Sequence, residues 1–283
     1  MEFEPSQRSG LAAGRGERMP SVVTVTGPRW RALQRLSVAL WLPLLLVAGW
    51  WHLSSDSTSI YFPPLSEIVA RLHKQWFFAE FGSDLLPSVA TMLLGFLIAV
   101  VTGVSAGTLL GLVPTLHRAF QPLAGFLRSI PPVMLLPPAV ILFGFGDEMR
   151  VGVIAFGAIW PTLLNTIDGV FGFEQGFRDV LRSYRVPRFR QVLLVVLPNA
   201  LPQILSGVGT SLQFSLIMLV VSESVAATHG IGFKVLEAQR SFDSLGTWAG
   251  TLLLGILGIV LGLAFELIRH RAIRWFFLRE QQG

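Results

Sequence analysis

Between Phe173 and Pro198 the chain reads FEQGFRDVLRSYRVPRFRQVLLVVLP, with arginines at 178, 182, 185, 188 and 190. A guanidinium can grip a carboxylate or phosphate through two parallel hydrogen bonds. Clustered at the end of an apolar run, it also marks the side of a membrane that the chain keeps in the cytoplasm. The stretch is helix-prone and lies between two apolar segments. It carries Asp179 early, where a carboxylate suits the positive end of a helix dipole, and closes on Leu197 and Pro198. Such a polar loop predicts a docking surface for a protein partner. Glu223 is the other residue that stands out, an ionisable group among Val220, Val221 and Val225. A charge at membrane depth is a functional candidate by default. Its expected role is gating or structural pairing, with Lys234 or Arg150 as partner.

Catalytic patterns do not occur. The sequence has no GxxxxGK[ST] phosphate loop, no HExxH and no GxSxG, the spacings that place a nucleotide, a zinc ion or a serine nucleophile. It has no cysteine, which excludes disulfides and thiolate metal ligands. His52, His73, His117, His229 and His270 are scattered near the ends of apolar runs and read as interfacial residues. The expectation is a protein without catalytic residues, binding no metal or cofactor of its own.

These residues must be positioned by membrane helices. Apolar residues make up 52% of the 283, charged residues only 14%, and mean hydropathy is +0.61; soluble domains carry about 25% charge. The net charge of +5 does not imply nucleic acid, because the basic residues sit at the ends of apolar spans. A span needs about 20 apolar residues, and six stretches qualify: roughly 36–53, 86–112, 122–145, 151–170, 199–221 and 247–268. The second carries Gly103, Gly107 and Gly111 at i, i+4 and i+8, a face for close helix packing. The third contains Pro131-Pro132 and Pro137-Pro138, which remove backbone hydrogen bonds and must bend or break it. Freed carbonyls at membrane depth are tolerated against protein or a watery cavity, so Pro131, Pro132 and Pro137 are candidate pathway residues, together with Gln213 on the polar fifth span.

Placing the N-terminus inside puts all but five of the 22 lysines and arginines on the cytoplasmic side; the exceptions are Arg71, Lys74, Arg150, Lys234 and Arg240. Both termini are then cytoplasmic. Residues 1–33 read as a disordered tail with no cleavable signal, 34–270 as the transmembrane domain with a cytoplasmic loop at 171–198, and 271–283 as a second tail. The amphipathic run from Leu65 to Phe78 predicts an interfacial helix on the outer face.

The loop resembles the signature of permease subunits of bacterial ATP-binding-cassette importers: E-A-A, three residues, G, nine residues, I-x-L-P. Here Asp179, Val180 and Leu181 stand at E-A-A, Arg185 at Gly, Val195 at Ile, and Leu197-Pro198 is kept. Pro63-Pro64-Leu65-Ser66-Glu67-Ile68, Arg128-Ser129-Ile130-Pro131 with Phe143-Gly144-Phe145-Gly146, and Ser222-Glu223-Ser224 with Gly230-Ile231-Gly232-Phe233 are similar to further segments of the nitrate, sulfonate and taurine branch. The resemblance implies an all-α, type I importer permease of the bacterial inner membrane. Its partners would be a second permease copy, a cytoplasmic ATPase dimer that binds ATP and Mg, an external solute-binding protein, and the lipid bilayer. Asp179, Val180, Leu181, Arg182, Ser183, Tyr184, Arg185, Leu197 and Pro198 would belong to the ATPase-coupling loop, with its coupling helix at about Phe177 to Tyr184. Arg185 departs from a helix-ending Gly, so the helix is expected to run on towards Pro187. The solute would be a small anion such as nitrate, a sulfonate, taurine or bicarbonate, which a bare Glu223 would repel. The competing reading is a self-contained secondary transporter or channel. It requires carboxylates at mid-membrane, whereas Asp168 and Glu266 lie towards span ends.

Overall fold

The computed structural model describes residues 28–172 and 187–273, with side chains from Trp41 onward. Every regular element among them is helical. The chain divides into two compact units, Met1–His52 and Leu53–Gly283. Helix α1 (Pro28–Ser54) runs through the described part of the first and has 27 residues, about 40 Å at 1.5 Å per residue. It starts on a proline, whose missing N–H costs nothing in a first turn.

The second unit opens with α2 (Leu65–Lys74), followed by two wide π-type turns, Gln75–Ala79 and Phe81–Leu85. Then come α3 (Leu86–Leu112), α4 (Pro114–Ser129), α5 (Leu136–Phe143) and α6 (Asp147–Phe171). Beyond the arginine-rich loop lie α7 (Leu197–Ala226), α8 (Ile231–Arg240) and α9 (Ser244–Ala272). Among the described residues, four continuous helical stretches are long and apolar enough to cross a membrane: Phe81–Leu112, Asp147–Phe171, Arg188–Ala226 and Ser244–Ala272. A fifth is reached only by joining α4 to Pro132–Phe143 across an 87° bend. The six-span expectation is therefore met in part. The third span is not one rod, because the residue before a proline is pushed out of helical conformation. Ile130 and Pro131 are accordingly extended, at ψ 117° and 124°.

The core is a sandwich of α3, α6 and α7. A Cβ on Gly95, Gly107 or Gly111 would fall 2.7 Å from Ile154 Cγ2, 2.6 Å from Thr166 Cβ and 2.8 Å from Val170 Cβ. The glycine face thus seats α6 directly on the α3 backbone. On the other side α7 closes in at Gly207, where a Cβ would lie 2.6 Å from the carbonyl oxygen of Pro161. Buried Ser211 Oγ accepts from Thr162 N at 3.1 Å and bonds its hydroxyl at 2.7 Å. Polar groups beside the α6 proline are thereby satisfied by the neighbouring helix, as hydrocarbon surroundings demand.

At one end of this core α2 and α8 lie against α9. Leu65, Ile68, Leu72 and Trp76 form the apolar stripe of α2 and its first π turn, and all are buried. The ring edge of Trp76 stands 3.7 Å from where a Cβ on Gly250 would be. The stripe Leu65, Ile68, Leu72 and Trp76 is covered by protein, while Val69, Phe77 and Phe78 of the same run are exposed.

Candidate functional site

Three glycine-permitted backbone N–H groups open α8, and each finds a buried acceptor from another element. Gly230 N donates to Asp84 Oδ1 at 2.8 Å, Ile231 N to Ser88 Oγ at 3.1 Å, and Gly232 N to Glu223 Oε2 at 2.8 Å. Ser88 in turn donates its hydroxyl proton to Glu223 Oε1. The first N–H groups of a helix have no partner within it, and their aligned dipoles favour negative charge. Two carboxylates from α7 and the turn before α3 therefore hold the start of α8. The cation of the cluster is Arg150, in the first turn of α6. It is only 3% exposed, lies 3.6 Å from Glu223 Oε1 through Nη1, and bonds Asp147 through Nη2. His229 Nε2 approaches the same nitrogen at 3.5 Å.

Gly230 makes this clamp possible. Gly230 has φ +113° and ψ 169°, a region that costs a non-glycine residue of order 1–3 kcal/mol. A Cβ there would also stand 2.5 Å from Glu223 Oε1. Gly230→Ala is accordingly expected to lose at least about 2 kcal/mol, the strain and the displaced carboxylate acting together. The thermal unfolding midpoint of the detergent-solubilised protein checks this.

Lys234, one turn further along α8, is the alternative partner that the sequence offers for Glu223, and the fold does not use it as one. It lies 3.5 Å from Glu80 and 3.2 Å from Glu237. Desolvation pulls its pKa down, but the hydrogen bond to Glu237 and the charges of Glu80, Glu237 and Asp84 outweigh that and hold it above its ordinary value. Its ion pairs therefore support the fold fully below the unfolded lysine pKa of about 10.4 and fade as pH rises through the higher folded value.

The remaining candidates do not share one site. Pro131 and Pro132 form the break after α4, and Pro132 Cβ lies 3.6 Å from where a Cβ on Gly157 would stand, beside Met218 of α7. Pro137 is in the first turn of α5 and exposed. Gln213 points into a separate groove of about 460 Å³ between α7 and α9, which also carries Glu266 and Arg269. Those two form an ion pair at 2.6 Å. Asp179, Val180, Leu181, Arg182, Ser183, Tyr184 and Arg185 lie outside the described residues. Leu197 and Pro198 begin α7 after the π turn Val192–Val196. Leu197 packs on the cluster of Val170, Val196, Ala200, Ile204 and Val208, so the last turn of α6 and the start of α7 share one apolar contact.

Sequence reasoning misses Asp84, Ser88 and His229 as members of the cluster. Asp84 and Ser88 are distant in sequence from Glu223, and the only local signal is the Gly230-Ile231-Gly232 segment that they cap.

Comparison with known proteins agrees with this architecture. Residues 99–274 match the family described as binding-protein-dependent transport system inner membrane component. The taurine transport system permease protein TauC of Escherichia coli (strain K12) is 27% identical over 254 residues, covering 87% of this chain and 92% of that protein. The bicarbonate transport system permease protein CmpB of Synechococcus elongatus is 30% identical over 248 residues, covering 82% and 88%. Among solved structures, an inward-facing form of the MetNI methionine ABC transporter superposes with a TM-score of 0.60 at 18% identity, over 70% of this chain and 97% of that one; at that identity the likeness speaks for the fold alone. The chain belongs to the family of binding-protein-dependent transport system inner membrane components, and is a multi-pass, inner-membrane permease subunit of an ATP-binding-cassette importer.

Proposed function

We propose that this permease carries a small oxyanion, of the class that includes taurine and bicarbonate, along a pathway built with a second copy of itself. An external solute-binding protein delivers the solute, and a cytoplasmic ATPase dimer binds the ATP and Mg. In this reading α1 is the first of six spans and the broken α4–α5 pair the third. Both termini are cytoplasmic, with tails at 1–33 and 271–283 flanking the 34–270 transmembrane domain. The observation that supports it best is the break itself. Pro131 and Pro132 interrupt the helix beside Gly157 of α6 and Met218 of α7, and backbone without its hydrogen bonds is tolerated at membrane depth only against protein or water. Pro137 then lines that route, Gln213 faces the separate groove between α7 and α9, and Glu223 positions the outer elements and does not meet solute.

The loop at 171–198 is the proposed input from the ATPase, through a coupling helix at about Phe177 to Tyr184. Its two ends are tied together by Val170, Val196 and Leu197. A displacement of the loop would therefore move α6 and α7 as one body, a two-state element that nucleotide can bias. The test is co-purification of the ATPase with the Asp179→Ala, Arg185→Glu double variant, from membranes expressing both subunits. The expected result is roughly a tenfold loss of recovered ATPase, equivalent to about 1.4 kcal/mol, with an unchanged elution profile of the permease. Undiminished assembly would refute the docking role.

A further inference from the structure

The polar side of α4 takes part in neither the clamp nor the packing of the core. Helix α4 has 16 residues and climbs from the Phe171 end of α6 towards its middle. In its first turn His117 stacks on Phe171, with ring centroids 4.5 Å apart and planes 7° from parallel. Just past its end, Pro132 reaches the level of Gly157, about 21 Å from Phe171 along the helix at 1.5 Å per residue. Along that climb Arg118, Gln121, Arg128 and Ser129 are exposed. Hydrocarbon cannot solvate such a face, so it fronts water or other protein.

A groove of about 540 Å³ runs between α4 and α6, lined by His117, Arg118, Gln121, Arg128 and Asp168 over an apolar floor that includes Leu164. Neither Arg118 nor Arg128 has an ion-pair partner among the described residues. By contrast, Arg150 on α6 and Arg269 on α9 are held by carboxylates. Two free guanidinium groups against one carboxylate leave the groove cationic. His117 Nδ1 is buried there without a hydrogen-bond partner.

We propose that this groove is an oxyanion-binding subsite of the translocation pathway, in which Arg118 and Arg128 receive the solute's sulfonate or carbonate oxygens. The assignment rests on the solute class proposed above and adds the place where that class is recognised. The planar guanidinium fork matches two oxygens of such a group. Exposure to water and the nearby Asp168 keep the hold weak, as a site that must also release its ion requires. A phospholipid phosphate presents the same oxygens, so the test separates the two sources.

Full-length permease in phosphatidylcholine nanodiscs is treated with phenylglyoxal, and modification of each arginine is read by peptide mass spectrometry. Methanesulfonate or bicarbonate at millimolar concentration is expected to slow modification of Arg118 and Arg128 about threefold, the protection given by a ligand at twice its Kd. Arg240, on α8 at a distance from the groove, serves as the unprotected reference. Arg128→Gln is expected to remove the protection of Arg118. Equal modification with and without either anion overturns the proposal. Protection that appears only in phosphatidylglycerol nanodiscs and ignores free anion also overturns it, and gives the groove to a lipid headgroup. The labelling needs neither ATPase nor binding protein, so its failure is distinguishable from failure of the importer reading, which the co-purification experiment tests separately.

Discussion

Glu223→Ala is expected to cost about 3–5 kcal/mol of stability, because it takes a fully buried carboxylate from a buried arginine and from two buried donors at once. The arginine is Arg150, 3% exposed and placed in the first turn of α6, and it keeps only the exposed Asp147 as a carboxylate partner among the described residues. The same substitution takes the acceptor from Ser88 Oγ and from Gly232 N, each then a buried donor without a partner. Against a total of about 5–15 kcal/mol for a folded domain, such a loss should abolish a monodisperse elution peak in detergent or lower the unfolding midpoint by many degrees. Two companions make the result specific. Lys234→Ala, which removes ion pairs to the partly exposed Glu80 and Glu237, should stay within about 1 kcal/mol. The double replacement Arg150→Met, Glu223→Leu should recover part of the loss, since apolar residues of similar size can substitute for a buried pair. A Glu223→Ala protein as stable as the parent would mean that the clamp does not hold α8.

The clamp shows how far the residues can be read without coordinates. Glu223 is legible as an ionisable group where few are tolerated, and Arg150 as one of two possible partners. Lys234 is the other, and nothing local separates them; the choice depends on α8 turning Lys234 towards Glu80 while its N-terminus faces Glu223. The break in the third span is legible because proline acts through its own backbone, whatever surrounds it. Its consequence for the span count is not, since an 87° bend depends on what α4 and α5 rest upon. The stripe Leu65, Ile68, Leu72 and Trp76 marks an apolar face on α2 by periodicity alone. Periodicity says that a face is apolar, but whether lipid or a neighbouring helix covers it is a tertiary fact, here decided by α9. The loop that carries the family resemblance, Asp179 to Arg185, falls outside the described residues, and its role rests on sequence spacing and on the packing of Leu197 beneath it.

The second large effect concerns the glycine face of α3. Gly107→Leu should be among the most damaging single substitutions in the described part of the chain. Its new Cβ would sit 2.6 Å from Thr166 Cβ and 2.9 Å from the carbonyl oxygen of Leu163. The second of these is backbone and cannot swing aside as a flexible side-chain end can. Overpacking by a few methylenes in a well-filled core costs about 1–3 kcal/mol. Here the remaining atoms of leucine would also have to fit between two helices in backbone contact, so the expectation is the upper end of that range or beyond. Thr166 is held by its hydroxyl bond to the Thr162 carbonyl oxygen at 2.7 Å, which removes the easiest relief. Gly255 on α9 provides the comparison, with nothing within 4 Å of where a Cβ would stand. Gly255→Leu should leave stability unchanged within about 0.5 kcal/mol, read from the same unfolding midpoint. The contrast separates a glycine that permits contact from one that merely occupies an apolar helix. It also bears on the proposed transport cycle, in which a displacement passed to α6 would move the rest of the core only if α3 travels with it. An ATPase-driven permease with Gly107→Ala, a smaller intrusion at the same place, is therefore expected to lose uptake more steeply than it loses folded protein, and equal losses of the two would show that α3 and α6 need not move together.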